Sequence, residues 1–343
     1  MAGASFLFLT GCGSGGSTSA AVPVDVYIAG NLAGSAVYWK NGQETVVQSN
    51  AVAYTIAVSG SDVYVGGASY GPNGSVATIW KNGTATTLSS DISRVNGIAV
   101  ANGTVYAVGN DQTTDYAMLW TNGEPSQLLD GMTLPHPNIP NFTFAYSISV
   151  SGSDVYVAGA AQKFFQTSSN GFWVADDAVY WKNGVAVDLT QVSNQSPNVQ
   201  AASIAISGSD VYVAGNIQSS APQAVYWKNA AQIPLANANF KGTYAGSIAV
   251  SGSNVYVAGN TDNDALGYWT NETPTVFGYT SATQPTQIAV NGTDVYVVGD
   301  STEYAASGGP PFFATYWKNG TLTRLTPLSE PSDAAAIALV PQQ

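Results

Sequence analysis

Few residues of this chain can act as an acid, a base or a nucleophile. It holds one histidine, His136, and one cysteine, Cys12. A Ser-His-Asp or Cys-His relay needs a base beside its nucleophile, and a zinc site needs several His or Cys ligands. His136 stands between prolines in LPHPNIP, a stiff loop sequence, so neither chemistry has enough to draw on. Carboxylates are more plentiful. Asp176-Asp177 follows the aromatic stretch FFQTSSNGFWVA, and Glu303 precedes Tyr304 in a second insertion. Two facing acids such as Asp177 and Glu303 would suit glycoside hydrolysis, although no spacing selects that pair. The same oxygens, together with NDQTTD (110–115) and TDNDALG (261–267), would suit calcium. None follows the complete calcium-loop pattern, and no cofactor is expected.

The chain has 343 residues and is 45% hydrophobic, enough for a real core, yet only 9% of it is charged. An average soluble domain carries about 25% charged residues. The formal net charge of −12 argues against nucleic acid and against anionic membrane surfaces as partners. It suits an exported protein kept soluble by mild self-repulsion. No stretch reaches the roughly 18 apolar residues that span a bilayer. Cys12 ends the box Leu9-Thr10-Gly11-Cys12, after a short apolar run and before a Gly/Ser-rich stretch. This segment resembles a bacterial lipoprotein signal. The resemblance implies cleavage before Cys12 and diacylglycerol on its thiol. It also implies residence in the cell envelope, facing periplasm or exterior, with the lipid as the only membrane contact. Residues 1–11 are short for a secretory signal and carry no Lys or Arg, so they read as a truncated signal segment. Residues 12–23 read as a flexible tether.

The elements that must position any site are written in repeats. SGSDVYVAG occurs at 151–159 and 207–215, with near copies at 59–67, 251–259 and 291–299. AVYWKNG occurs at 36–42 and 178–184, with five relatives, and these seven copies use seven of the eight tryptophans. The tyrosines centring the first phrase run from Tyr27 to Tyr296 at spacings of 37 to 56 residues. Periods near 40–50 with several short strands per unit point to a β-propeller. In the fifth unit the strands are SIAIS (203–207), DVYVAG (210–215), AVYWKN (224–229) and QIPLA (232–236). The last two are usually joined by Asn-Gly, which accepts the positive φ angles of a two-residue hairpin turn. VYV and VYW are apolar at consecutive positions, so both faces of each sheet must be covered. DVYIAG (25–30) has no preceding first strand, and AAAIALV (334–340) has no following second strand. The two fragments complete one blade. The expected fold is therefore all-β: one domain over 24–343, a seven-bladed β-propeller of four-stranded antiparallel blades. Its C-terminal strand closes the ring by pairing with the N-terminal blade. The repeats resemble those of bacterial exported propeller proteins built on SGSDVYVAG…YWKNG units. That resemblance covers about residues 24–340 and implies a fold, with almost nothing about activity.

A meander of four strands sorts its connections onto two faces. The first and third connections are tight turns, in which Lys40, Lys81, Lys182, Lys228 and Lys318 are expected to alternate around a ring with Asp62, Asp154, Asp210 and Asp294. Each aspartate is expected to cap its own turn. The opposite face takes the irregular segments. These are 160–178 with Phe164, Phe165, Phe172, Trp173, Asp176 and Asp177; 301–314 with Glu303, Tyr304, Phe312 and Phe313; and the link bearing His136. Arg94, one of two arginines, lies in another link. Aromatic side chains beside carboxylates and amides suit sugar or peptide surfaces. The expected function is a monomeric binding or scaffold module for an extracellular glycan, a peptide or an envelope protein. The competing class is a polysaccharide-acting enzyme, hydrolase or lyase, using carboxylates on the same face. The tryptophans are expected in the wide outer gaps between blades, so truncating one to Ala should cost about 3–5 kcal/mol in chemical denaturation.

Overall fold

Seven asparagines carry the tight-turn face. Asn41, Asn82, Asn122, Asn183, Asn229, Asn271 and Asn319 all have φ between 45° and 51°. Glycine follows in five of these turns, while Ala230 (φ 66°) and Glu272 (φ 73°) take that strained place in the other two. Each Asn side chain then ties the turn to the neighbouring strand. Its Oδ1 accepts the amide of Val26, Val63, Val105, Val155, Val211, Val255 or Val295 at 2.8–2.9 Å. Its Nδ2 donates to Asp25, Asp62, Asp154, Asp210 or Asp294 at 2.7–3.0 Å in five blades. The other oxygen of each aspartate meets the blade's own motif lysine at 2.7–2.9 Å. That lysine lies 5.2–5.3 Å from the centroid of the motif tyrosine. Lysine and aspartate are thus clasped within one blade, one pair in each of five blades, and the aspartate joins two turns instead of capping its own. Hydrogen bonds from Asn41 and Lys40 bring Asp25 down to about 2. Where the pair is lost, both members change together: Thr104 with Thr121, and Asn254 with Thr270. Asn254 still accepts from Asn271 at 2.8 Å.

The structure, a computed structural model, describes residues 21–342 except 73, 114, 130–141, 167–171, 191–197, 220–221, 236–242, 262–264, 279–284, 302–311 and 328–329. Seven four-stranded antiparallel sheets form the seven blades of a propeller. The inner strands of blades two to seven are Ala51–Ser59, Ser93–Ala101, Thr143–Ser151, Asn198–Ser207, Tyr244–Ser251 and Pro285–Asn291. Blade one takes its inner strand from the end of the chain, Ser332–Pro341, which pairs with Val24–Leu32 so that Ile28 faces Ile337 and Val26 faces Leu339. The expected closure is therefore present. All seven motif tryptophans are at most 2% exposed, packed between neighbouring sheets.

Every inner strand carries a β-bulge at the same place. The bulged residues are Tyr54, Asn96, Tyr146, Ala202, Gly246, Thr286 and Ala335. The carbonyl two residues before the bulge presses on a glycine of the second strand. A Cβ at Gly30, Gly67, Gly109, Gly159, Gly215 or Gly259 would collide with the carbonyl oxygen of residue 333, 52, 94, 144, 200 or 244 respectively. At Gly159, Gly215 and Gly259 it would also come within 2.8 Å of the blade's tryptophan.

Blades are joined across their inner edges by side chains reaching backbone. Ser147, Ser203, Ser247 and Gln287 accept the amides of Ile204, Ile248, Ile288 and Ile337 in the following blade at 2.6–3.4 Å. Asn216 clasps Ala245 doubly, accepting its N–H at 2.7 Å and donating to its carbonyl at 2.9 Å. Asn31 does the same to Ala53. Asn260 stands at the matching place in blade six, and the residue that holds Ala245's place in the following blade is Pro285, which has no N–H. Asn260 Oδ1 is buried without a donor. Pro285→Ala should therefore stabilise the protein by about 1 kcal/mol, after allowing for the lost rigidity of proline. The gain should disappear in an Asn260→Ala background, as read by urea denaturation of the four variants of that cycle.

Candidate functional site: the channel mouth

The seven inner strands surround an axial cavity of about 120 Å³, and all seven bulged residues line it. Such a volume holds a few water molecules and no folded partner. Below the bulges the strands repeat closely. Two residues on, every blade has isoleucine: Ile56, Ile98, Ile148, Ile204, Ile248, Ile288 and Ile337. At the bulge and above it the repetition ends. The bulge ring places Tyr54, Asn96 and Tyr146 on blades two to four, opposite Ala202, Gly246, Thr286 and Ala335. Two positions earlier, on the same side of the strands and nearer the long-loop face, stand Val52, Arg94, Phe144, Gln200, Tyr244 and Asp333.

These side chains form a polar and aromatic crescent. The Arg94 guanidinium lies 5.8 Å from the centroid of Tyr54. Phe144 stacks on Tyr146 with centroids 6.4 Å apart and planes 2° off parallel. Burial, and then the charge of Asp176, pushes the Tyr146 phenol up to about 12. Burial also raises Tyr54 and Tyr244. All three phenols therefore remain protonated donors at neutral pH. Asp176, half-buried, is held by Gln162 at 3.3 Å and Gln200 at 3.2 Å. Asn96 is occupied with architecture, donating to Asn110 at 2.8 Å and to the Ala145 carbonyl at 2.7 Å.

The residues singled out from the sequence divide into distinct groups. Arg94 and Asp176 belong to the crescent. Phe164, Phe165, Phe172 and Trp173 lie on one long hairpin, in which Phe165 pairs with Trp173. Their side chains, like Cys12, His136, Glu303 and Tyr304, lie outside the described residues. Phe312 is exposed. Phe313 and Asp177 require correction as surface residues, since both are fully buried. Phe313 is packed within blade seven. Asp177 is ion-paired with Lys163 and accepts a hydrogen bond from Thr190, while Lys163 also reaches Asp188 at 3.3 Å. A carboxylate so engaged cannot act with Glu303 on a substrate. Of the suggested calcium stretches, Thr114, Asp262, Asn263 and Asp264 lie outside the described residues; among the described residues no three His, Cys, Asp or Glu side chains are grouped to hold a metal ion. Also among these residues, no helix is long and apolar enough to cross a membrane. Reading the sequence missed Tyr54, Tyr146, Gln200, Tyr244 and Asp333. They precede the repeated SIAVS phrase, and extending the seven first strands backwards would have exposed the column where residue types diverge.

No family model matches the chain, and no curated protein matches it. Solved structures do. The β-propeller domain of the Trilobed protease from Pyrococcus furiosus, described as having an open velcro topology, superposes with a TM-score of 0.50. It is 13% identical over 86% of this chain and 87% of that one. A Mycobacterium tuberculosis puromycin-hydrolyzing peptidase gives a TM-score of 0.49 at 11% identity, covering 80% of this chain and 53% of its own. The Pyrococcus horikoshii acylaminoacyl peptidase gives 0.49 at 11%, covering 90% of this chain and 52% of its own. This chain is a β-propeller. It spans about half the length of those two peptidases, and likeness at such identities is one of fold alone. Unlike a ring left open, this propeller carries its closing strand pair.

One carboxylate near the mouth makes stability depend on pH. Asp300 holds the clasp position in blade seven, where asparagine stands in blades one, three, five and six, and accepts the Ala334 amide at 2.9 Å. Burial, together with the charge of Asp333, pushes it up to about 7 from an ordinary 3.8, against the lowering effect of that hydrogen bond. Between those values the folded protein keeps a proton that the unfolded chain releases, so stability should fall as pH rises from about 4 to 7. Asp300→Asn should remove the penalty, as the Asn216 clasp shows an amide fits there. The variant should be more stable than the parent at pH 8, by on the order of 2–4 kcal/mol, with the gap closing by pH 4. Thermal melts at both pH values check this.

Proposed function

We propose that this propeller is a non-enzymatic binding or scaffold module of a bacterial cell envelope, held to a membrane by lipid on Cys12. Its ligand, a glycan, a peptide or another envelope protein, is taken at the channel mouth and the surrounding loop face. The observation that carries this reading is the divergence of the inner strands above their bulges. Below that level the fold dictates isoleucine in every blade; above it the blades bear tyrosine, arginine, phenylalanine, glutamine and aspartate in an asymmetric crescent. Packing does not require such variety, whereas recognition of one asymmetric ligand does. The long hairpin of blade four stands beside this crescent: Gln162 and Asp176 on it connect to Gln200 of the next inner strand. Two aromatic positions at its tip, Phe165 and Trp173, would extend the contact surface.

The reading is tested by glycan-array and envelope pull-down experiments on the full chain. The comparison is a variant in which 165–173 is replaced by Asn-Gly. Lys163 must stay, because its loss would leave Asp177 buried and unpaired at a cost of about 3–5 kcal/mol. Capture of a ligand by the parent, weakened at least tenfold in the shortened variant, is expected. Equal capture by both would remove the hairpin from the site. Cys12→Ser should shift the protein from the membrane fraction to the soluble fraction of the envelope; unchanged partitioning would remove the anchor.

A further inference from the structure

We infer that the crescent contains a subsite for a carboxylated sugar, with Arg94 as its anion-binding group; this rests on the channel-mouth reading above. The protein has nine basic residues, and its cations are mostly committed. The five motif lysines and Lys163 are ion-paired. Arg94 is exposed at the mouth; among the described residues it lies over the Tyr54 ring and donates to the Tyr54 hydroxyl, and it is paired with no carboxylate. The acids nearest the crescent do not compete for it: Asp176 is held by two glutamine amides and Asp333 by Asn31 at 2.8 Å. A guanidinium left in this state presents a planar fork that matches a carboxylate bidentately.

The flanking groups select a sugar over a simple anion. Tyr54 and Tyr146 come from the blades on either side of Arg94, and Phe144 stacks on Tyr146. Aromatic faces accept the apolar face of a pyranose ring, and the phenols of Tyr54, Tyr146 and Tyr244 remain protonated to bond hydroxyls. Across the axis, Ala202, Gly246 and Ala335 have little or no side chain, which leaves space at the mouth for one ring edge. A uronic acid unit offers the required combination of carboxylate, hydroxyls and a flat apolar face.

The probes are an oligogalacturonate and its methyl-esterified counterpart, the same chain without charge, measured by calorimetry against the full-length protein. The parent should prefer the free acid by about tenfold or more. Arg94→Ala should reduce that preference to near unity, and Arg94→Lys should keep part of it. Tyr146→Ala should weaken the acid and the ester alike, a pattern that a purely structural Arg94 would not produce. Circular dichroism and melting temperature identify any variant that has failed to fold. Equal binding of acid and ester, no binding of either, or full affinity in Arg94→Ala would each overturn the subsite. Arg94-dependent capture of a peptide free acid over its amide, with no response to the sugar acid, would overturn the sugar assignment and leave the mouth as a binding site. Loss of ligand capture only on shortening the hairpin, with no effect of any crescent variant, would place the site outside the mouth.

Discussion

A backbone carbonyl pressed against a bare glycine α-carbon governs the geometry of every blade in which both partners are described. The inner strand can bulge only because the second strand has no side chain at the point of contact. The bulge shifts register by one residue, which sends the two sides of the strand to different environments above and below it. The blade's tryptophan closes over the same glycine from the outer side. Glycine, bulge and indole therefore form one packing unit, and the phrase VAG in the repeat belongs with YWKNG some fifteen residues later for that reason. Removing any one of the three would misplace the other two.

That unit also separates the part of each inner strand that repeats from the part that varies. Below the bulge, isoleucine amides are taken by serine or glutamine side chains of the preceding blade in four places, and the isoleucine side chains pack into the cores between blades. The inter-blade core makes the same demand in every blade, and isoleucine meets it in all seven. Above the bulge the strand alternates: Val95, Thr143, Ala145 and Val199 stay buried between sheets, and the column that includes Val52 and Arg94 turns towards the mouth. At the bulge, blades two to four carry Tyr54, Asn96 and Tyr146 and the other four carry Ala202, Gly246, Thr286 and Ala335; two positions earlier the residues are Val52, Arg94, Phe144, Gln200, Tyr244 and Asp333. A symmetric scaffold thereby holds an asymmetric mouth without distortion of its rings.

The fold was legible because repetition makes its rules visible many times over. Asn-Gly turns, the VYV and VYW runs and the split first blade each followed from local physics, and each is found in place. The turn chemistry was only partly legible. Lysine and aspartate were visible as motif residues, yet their pairing within a blade depends on hairpin register, and the joint changes at Thr104 with Thr121 and at Asn254 with Thr270 were the available clue. The crescent was least legible. Tyr54, Tyr146 and Tyr244 look like ordinary strand tyrosines, and only the bulge tells which side of the sheet they occupy. Asp177 failed in the opposite sense. It stands beside a residue that is half-buried, in a stretch that reads as loop, but the long hairpin carries strand alternation through it and turns it inward onto Lys163.

The closing seam connects the lock of the ring to the mouth. Asn31 of the first strand in sequence donates to Asp333 of the last at 2.8 Å, while also clasping Ala53 of the next blade. Asp333 belongs to the same column as Arg94, and its charge is felt at Tyr54. Asp300, one strand away, is pushed towards neutrality partly by Asp333. A side chain that helps lock the ring thus sets the field at one end of the crescent, and the cation at Arg94 sets it nearer the centre. The mouth thus has carboxyls at the seam and at Asp176, with Arg94 between them. Arg94 is therefore the one described cation among the carboxyls and aromatic rings of the crescent, and the packing of the ring decides where each of these charges stands.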